Sequence, residues 1–146
     1  MGKVKLSLRL AGSLPSSEDL KQILGTLPML ERRCGEAISP ERVQPFDLWM
    51  LNLAEFDGDD EIQVIEQAMQ TAAQILRPMA LSLAGLDRDR CSADLYITTV
   101  QEEEQVRLFL STELVAAAAA ARLAVQFSAF ALLDASEEPE MDTITP

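Results

Sequence analysis

The chain of 146 residues has no histidine and only two cysteines, Cys34 and Cys91. Without imidazole, the base, proton-shuttle and zinc-ligand roles of histidine are closed to it. The cysteines lie far apart and form no CxxC pair, so they read as free thiols of a reducing compartment. Neither has a histidine to activate it, and no GxSxG elbow, phosphate-binding loop or dinucleotide fingerprint occurs. The longest uncharged apolar run, Leu114 to Ala121, is too short and too rich in alanine to span a bilayer. The opening MGKVKLSLRL alternates where a secretory signal would be continuously apolar, and Leu6 stands where myristoylation needs Ser or Thr. These absences predict a cytoplasmic, non-enzymatic protein with no cofactor and no metal.

What is present is a strong and uneven charge. Residues 1–55 hold seven basic and seven acidic residues and are neutral, whereas residues 56–146 hold five and seventeen and carry the whole net charge of −12. Such a field repels nucleic acid and anionic membrane and favours cationic partners, though it also serves solubility alone. Apolar residues make up 48% of the chain, enough to build one folded core.

Asp59 to Arg77 is the strongest local signal. Ile62, Ile65, Met69, Ala72 and Leu76 recur every three or four residues, widened by Ala68, Ile75 and Met79, which predicts a long helix with one apolar face. Asp60 is its expected N-cap, with Gln63 three residues on, and Pro78 its end. Before it, Val4, Leu6, Leu8 and Leu10 alternate with Lys3, Lys5, Ser7 and Arg9, the pattern of a half-buried strand with a basic outer face. Ser16 or Ser17 then caps a short helix that Gly25 ends. Thr26 to Pro45 is a long connection in which Ser39-Pro40-Glu41 suits one helical turn, and loops of this length are often functional. Phe46 to Phe56 reads as a strand with apolar residues on both faces, including the single tryptophan, Trp49, assigned to the core.

After the long helix, Pro78 to Leu86 suits a shorter one. Cys91 to Val100 and Gln105 to Leu110 each alternate and predict a hairpin turning at Glu102-Glu103-Glu104. Ser111 or Thr112 caps a helix from Glu113 to about Leu123, followed by a last strand, Ala124 to Leu133, with Val125, Phe127, Ala129 and Ala131 on one side. The expected order is β-α-β-α-α-β-β-α-β. This is a single α+β domain over residues 1–134, a mainly antiparallel sheet of about five strands with helices on one face. Residues 135–146, acidic and proline-containing, read as a disordered tail.

Leu24-Gly25-Thr26-Leu27-Pro28, then Gly35-Glu36 and Trp49, resemble the opening pattern of a bacterial family known as domain of unknown function 4279. The resemblance covers about residues 3–134 and implies the same layout of strand, helix end, Gly-Glu loop, Trp strand, long helix, hairpin, helix and strand. That family has no established activity; by analogy, small domains of this kind accompany bacterial toxins as immunity proteins.

Asp57-Gly58-Asp59-Asp60-Glu61 has the acids of a calcium loop but Ile62 at position six and Ala68 at position twelve, so helix capping accounts for it. Adjacent acids such as Glu102-Glu103-Glu104 are splayed and solvated in a turn, which argues against general acid–base catalysis there. Two binding surfaces are left. One is acidic, comprising Asp57, Asp59, Asp60, Glu61, Glu66, Glu102, Glu103 and Glu104, and suits a basic protein such as a toxin. The other is the outward sheet face with Lys3, Lys5, Arg9, Tyr96, Arg107 and Phe109, open to a second subunit, a small ligand or another partner. The expected function is an immunity or antitoxin protein that occludes a basic toxin. The alternative is a homo-oligomeric structural or small-ligand-binding domain, such as a homodimer, that uses the open sheet face.

Overall fold

The computed structural model describes residues 2–102 and 105–131. Its sheet has five strands in the order β2-β5-β1-β6-β7: β1 (Gly2–Gly12), β2 (Leu30–Arg32), β5 (Asp47–Gly58), β6 (Cys91–Gln101) and β7 (Ala124–Ala131). A separate small ladder joins β3 (Ala37–Ser39) to β4 (Arg42–Val43). The helices are α1 (Ser17–Leu24), α2 (Glu61–Leu76), α3 (Ala80–Ala84) and α4 (Thr112–Ala120), with a 3-10 turn at Arg77–Met79 between α2 and α3. The fold is α+β with a mostly antiparallel sheet.

β1 is the centre because it is paired along its whole length on both sides, antiparallel to β5 and to β6. Its strict alternation buries Val4, Leu6, Leu8 and Leu10 and leaves Lys3, Lys5 and Arg9 at the other surface. On β5 a bulge interrupts the pairing, so that Leu6 faces Ala54 and Ser7 faces Asn52, with Leu53 as the extra residue. The bulge lets the consecutive Leu53 and Ala54 both bury, which explains why β5 has no clean alternation.

α2 begins as its sequence predicts: Asp60 is the N-cap and its Oδ1 accepts the amide of Gln63 at 3.2 Å. Val64, Ile65, Ala68, Met69, Ala72, Ala73 and Leu76 are buried. Ile62 and Ile75, expected in that stripe, are 60% and 39% exposed, whereas Val64 and Ala73, outside it, are buried. The buried residues of α1 (Leu20, Leu24), α3 (Leu83) and α4 (Leu114, Ala117, Ala118) join the cluster formed by Val4, Leu6, Leu8 and Leu10. Ser16 caps α1, Ser111 caps α4, and Gly25 closes α1 in the left-handed conformation at φ 72°.

Three expectations are corrected. Gln105 to Leu110 is not a strand, so β6 has no hairpin partner. The side chain of Gln101 takes the place of a ladder: its Oε1 accepts the amide of Arg107 at 3.0 Å and its Nε2 donates to the carbonyl of Arg107 at 2.5 Å and to Thr99 Oγ1 at 3.2 Å. With the backbone of Arg107 held by a side chain, the segment runs on to α4, and β7 comes back parallel to β6. A parallel neighbour needs a crossover, and α4 lies between the two strands in the chain. Secondly, the long connection 26–45 is not structureless: β2 pairs with Leu48–Met50 of β5, and Pro40-Glu41 is the turn between β3 and β4 instead of a start of helix. Thirdly, Val125, Phe127 and Ala129 are in register with the inward Leu95, Ile97 and Thr99, yet Phe127 is 56% exposed because β7 is an edge strand. The expected tail at 135–146 lies outside the described residues. Among the described residues no helix is long and apolar enough to cross a membrane.

Candidate functional site

Where α2 begins, its first turn faces the end of β6. Asp59, Asp60, Glu61, Ile62 and Ile65 line one side of a cleft of about 550 Å³, and Gln101, Glu102 and Arg107 line the other. Each wall has a local cause. The α2 acids stand where the helix N-terminus favours negative charge, and the Gln101 side chain holds Arg107 by its backbone opposite them. The carboxylate of Asp60 is already engaged as the cap, accepting the amide of Gln63.

The expected acidic residues are thus only partly brought together. Asp59, Asp60, Glu61 and Glu102 share the cleft, whereas Asp57 lies on β5 opposite Lys3 of β1. Glu66 lines a second groove of about 350 Å³ with Met69, Ala73, Phe109 and Glu113. Glu103 and Glu104 lie outside the described residues.

The sheet-face group divides too. Lys5, Arg9 and Tyr96 share one face: Arg9 Nη1 donates to Tyr96 Oη at 3.0 Å and the guanidinium lies 5.6 Å from the ring centroid. Lys3 pairs with Glu55 at 3.4 Å, an exposed ion pair of small energetic weight. Arg107 and Phe109 are corrections. Without a strand at 105–110 they do not reach that face and instead line the two α2 grooves.

A polar cluster at the other end of β5 has no sequence period to announce it. Asp47 Oδ1 accepts the amide of Cys34 at 2.8 Å, and its Oδ2 accepts the amide of Leu14 at 3.0 Å and lies 3.5 Å from Arg33 Nη1. Arg33 also binds Glu31 at 2.7 Å, and Glu31 in turn accepts the hydroxyl of Ser17. Within the same loop Glu36 accepts the amide of Arg33 at 2.9 Å, and Gly35 has φ 90°. These contacts fasten the loop 26–45 to α1 and β5, and they give the Gly-Glu pair a structural role. The two amides and Arg33 hold the Asp47 carboxyl below its ordinary value of 3.8.

A lowered carboxyl pKa contributes stability that is fully present above the unfolded value and is lost as pH falls through the folded one. Asp47→Asn is therefore expected to cost about 1–3 kcal/mol at neutral pH, since one amide loses its acceptor. Urea midpoints should show the gap between wild type and variant narrowing below about pH 4. A gap that stays constant with pH would place the effect elsewhere.

The thiol of Cys91 is buried, donates to the Asp87 carbonyl at 3.3 Å, and is pushed up in pKa by that burial. Burial thereby keeps it a weak nucleophile. Cys34 is exposed. No group of three or more Cys, Asp or Glu residues arranged to hold a metal occurs among the described residues. Comparison of the chain with family models, curated proteins and solved structures yields no match.

Proposed function

We propose that this chain is a non-enzymatic protein-binding domain whose acidic cleft receives a cationic surface of a protein partner. Its most concrete form is a bacterial, cytoplasmic immunity or antitoxin protein that neutralises a basic toxin by covering it. The observation that carries this reading is the convergence of Asp59, Asp60, Glu61 and Glu102 on one cleft, within a half-chain that carries the whole net charge. Low-dielectric walls such as Ile62 and Ile65 concentrate the field of such acids and speed the approach of a basic partner. The resemblance to domain of unknown function 4279 supports the same reading by analogy alone.

The test is a pull-down from the native host, washed at low and at high salt, with wild type and with Asp59→Asn/Glu61→Gln/Glu102→Gln. Asp60 is left in place because it caps α2. The expected result is one basic protein, held by wild type at low salt, weakened by high salt, and associating about tenfold or more slowly with the triple variant. Equal retention by the variant would contradict the electrostatic role of the cleft.

A second reading takes the helices to cover one sheet face and leave the other for oligomerisation or a small ligand. It is favoured by one detail: Arg9 Nε is out of solvent and has no hydrogen-bond partner. On that reading Arg9→Ala changes the mass measured by light scattering, whereas the leading reading leaves it unchanged.

A further inference from the structure

We propose that the outer face of α4, together with Leu81 of α3, is the docking surface for a second copy of this chain, the two α4 helices pairing antiparallel about a two-fold axis. Leu81 is 83% exposed and Val115 49%, on neighbouring elements. Between them runs a groove of about 570 Å³ lined by Arg77, Ala80, Leu81, Glu113, Ala116 and Ala120. From Leu114 to Ala121 the sequence has no polar side chain, so the surface turns of α4 that Val115, Ala116, Ala119 and Ala120 form offer nothing to water. A surface helix ordinarily places charge there.

The identity of the occupant follows from charge. In a chain of net charge −12 most surfaces repel their own copies, but α4 carries one acid at its start, Glu113, and one base just past its end, Arg122. In an antiparallel pair each Glu113 meets the other copy's Arg122, each Ala116 meets an Ala119, and the helix dipoles oppose. Alanine lets the backbones approach closely, and the groove beside α4 receives the partner's Leu81. The face is self-complementary in charge, as a two-fold contact requires. It is separate from the acidic cleft and independent of what that cleft binds.

Sedimentation velocity from micromolar to millimolar protein tests it. The expected result is a concentration-dependent dimer of the weak class that a small interface gives. Leu81→Glu and Ala116→Arg should each raise the dissociation constant about tenfold or more, with unchanged circular dichroism because both sites are exposed. Glu113→Arg and Arg122→Glu should each weaken the dimer, and the double reversal should recover it. A monomer at every concentration would overturn the proposal. So would a dimer indifferent to Leu81→Glu and Ala116→Arg, or a double reversal no better than the single ones.

Discussion

Arg88→Ala is expected to destabilise the fold by about 3 kcal/mol, the effect of several charge-assisted hydrogen bonds lost together. The half-buried guanidinium closes two helices at once. Its Nη1 donates to the carbonyls of Leu83 at 2.9 Å and Leu86 at 3.3 Å, at the end of α3. Its Nη2 donates to the carbonyls of Ala121 at 2.8 Å and Arg122 at 3.1 Å, just past α4. The last carbonyls of a helix have no partner within it, and a cation there also meets the negative end of the dipole. Lysine offers a point charge instead of a planar fork, so Arg88→Lys should recover only a minor part of the loss. Urea unfolding of the two variants checks this. A loss below about 1 kcal/mol for Arg88→Ala would mean that water replaces the guanidinium without penalty.

The second large effect is expected at Gln101. Gln101→Met keeps the length of the side chain and removes both hydrogen-bonding functions. The amide and carbonyl of Arg107 then lose the partners that they have at 3.0 and 2.5 Å. The cost should be about 2–3 kcal/mol, since the residue is fully buried and a backbone donor and acceptor are both left without their bonds. A local signature accompanies it: the Arg107 amide should exchange with solvent far faster in the variant, while the β1–β6 ladder keeps its protection. Unchanged exchange at Arg107 would show that other contacts, such as the partly buried Leu108 and Leu110, hold the segment on their own.

Those two residues also show what a sequence reveals and what it conceals. Local, periodic features were legible: the alternation of β1, the Asp60 and Ser111 caps, the glycine end of α1 and the central residues of the α2 arc, Ile65, Ala68, Met69, Ala72 and Leu76, all follow from spacing within a few residues. The bonds of Arg88 to Ala121 and Arg122 were not, because only tertiary folding brings those carbonyls near, and that of Gln101 to Arg107 was not, because it follows no period. The same holds for Asp47, whose partners Leu14 and Cys34 belong to separate loops. Gln105 to Leu110 alternates as a strand would, yet alternation reports only that one side is apolar. Leu108 and Leu110 are half-buried against the core without any ladder. That one mistaken strand also misplaced Arg107 and Phe109 and hid the parallel return of β7. As for the cleft, its acids could be counted in the sequence. Which of them line it (Asp59, Asp60, Glu61 and Glu102) and which do not (Asp57 and Glu66) required the structure.

The most direct test of the cleft as the binding surface is amide hydrogen exchange of the full chain, alone and with the basic protein recovered from the host. New protection should centre on residues 59–66 and 101–107, and it should fade as salt is raised from about 50 to 200 mM, since screening shortens the reach of the acids. Protection that leaves both segments unchanged, or that salt does not touch, would contradict the account.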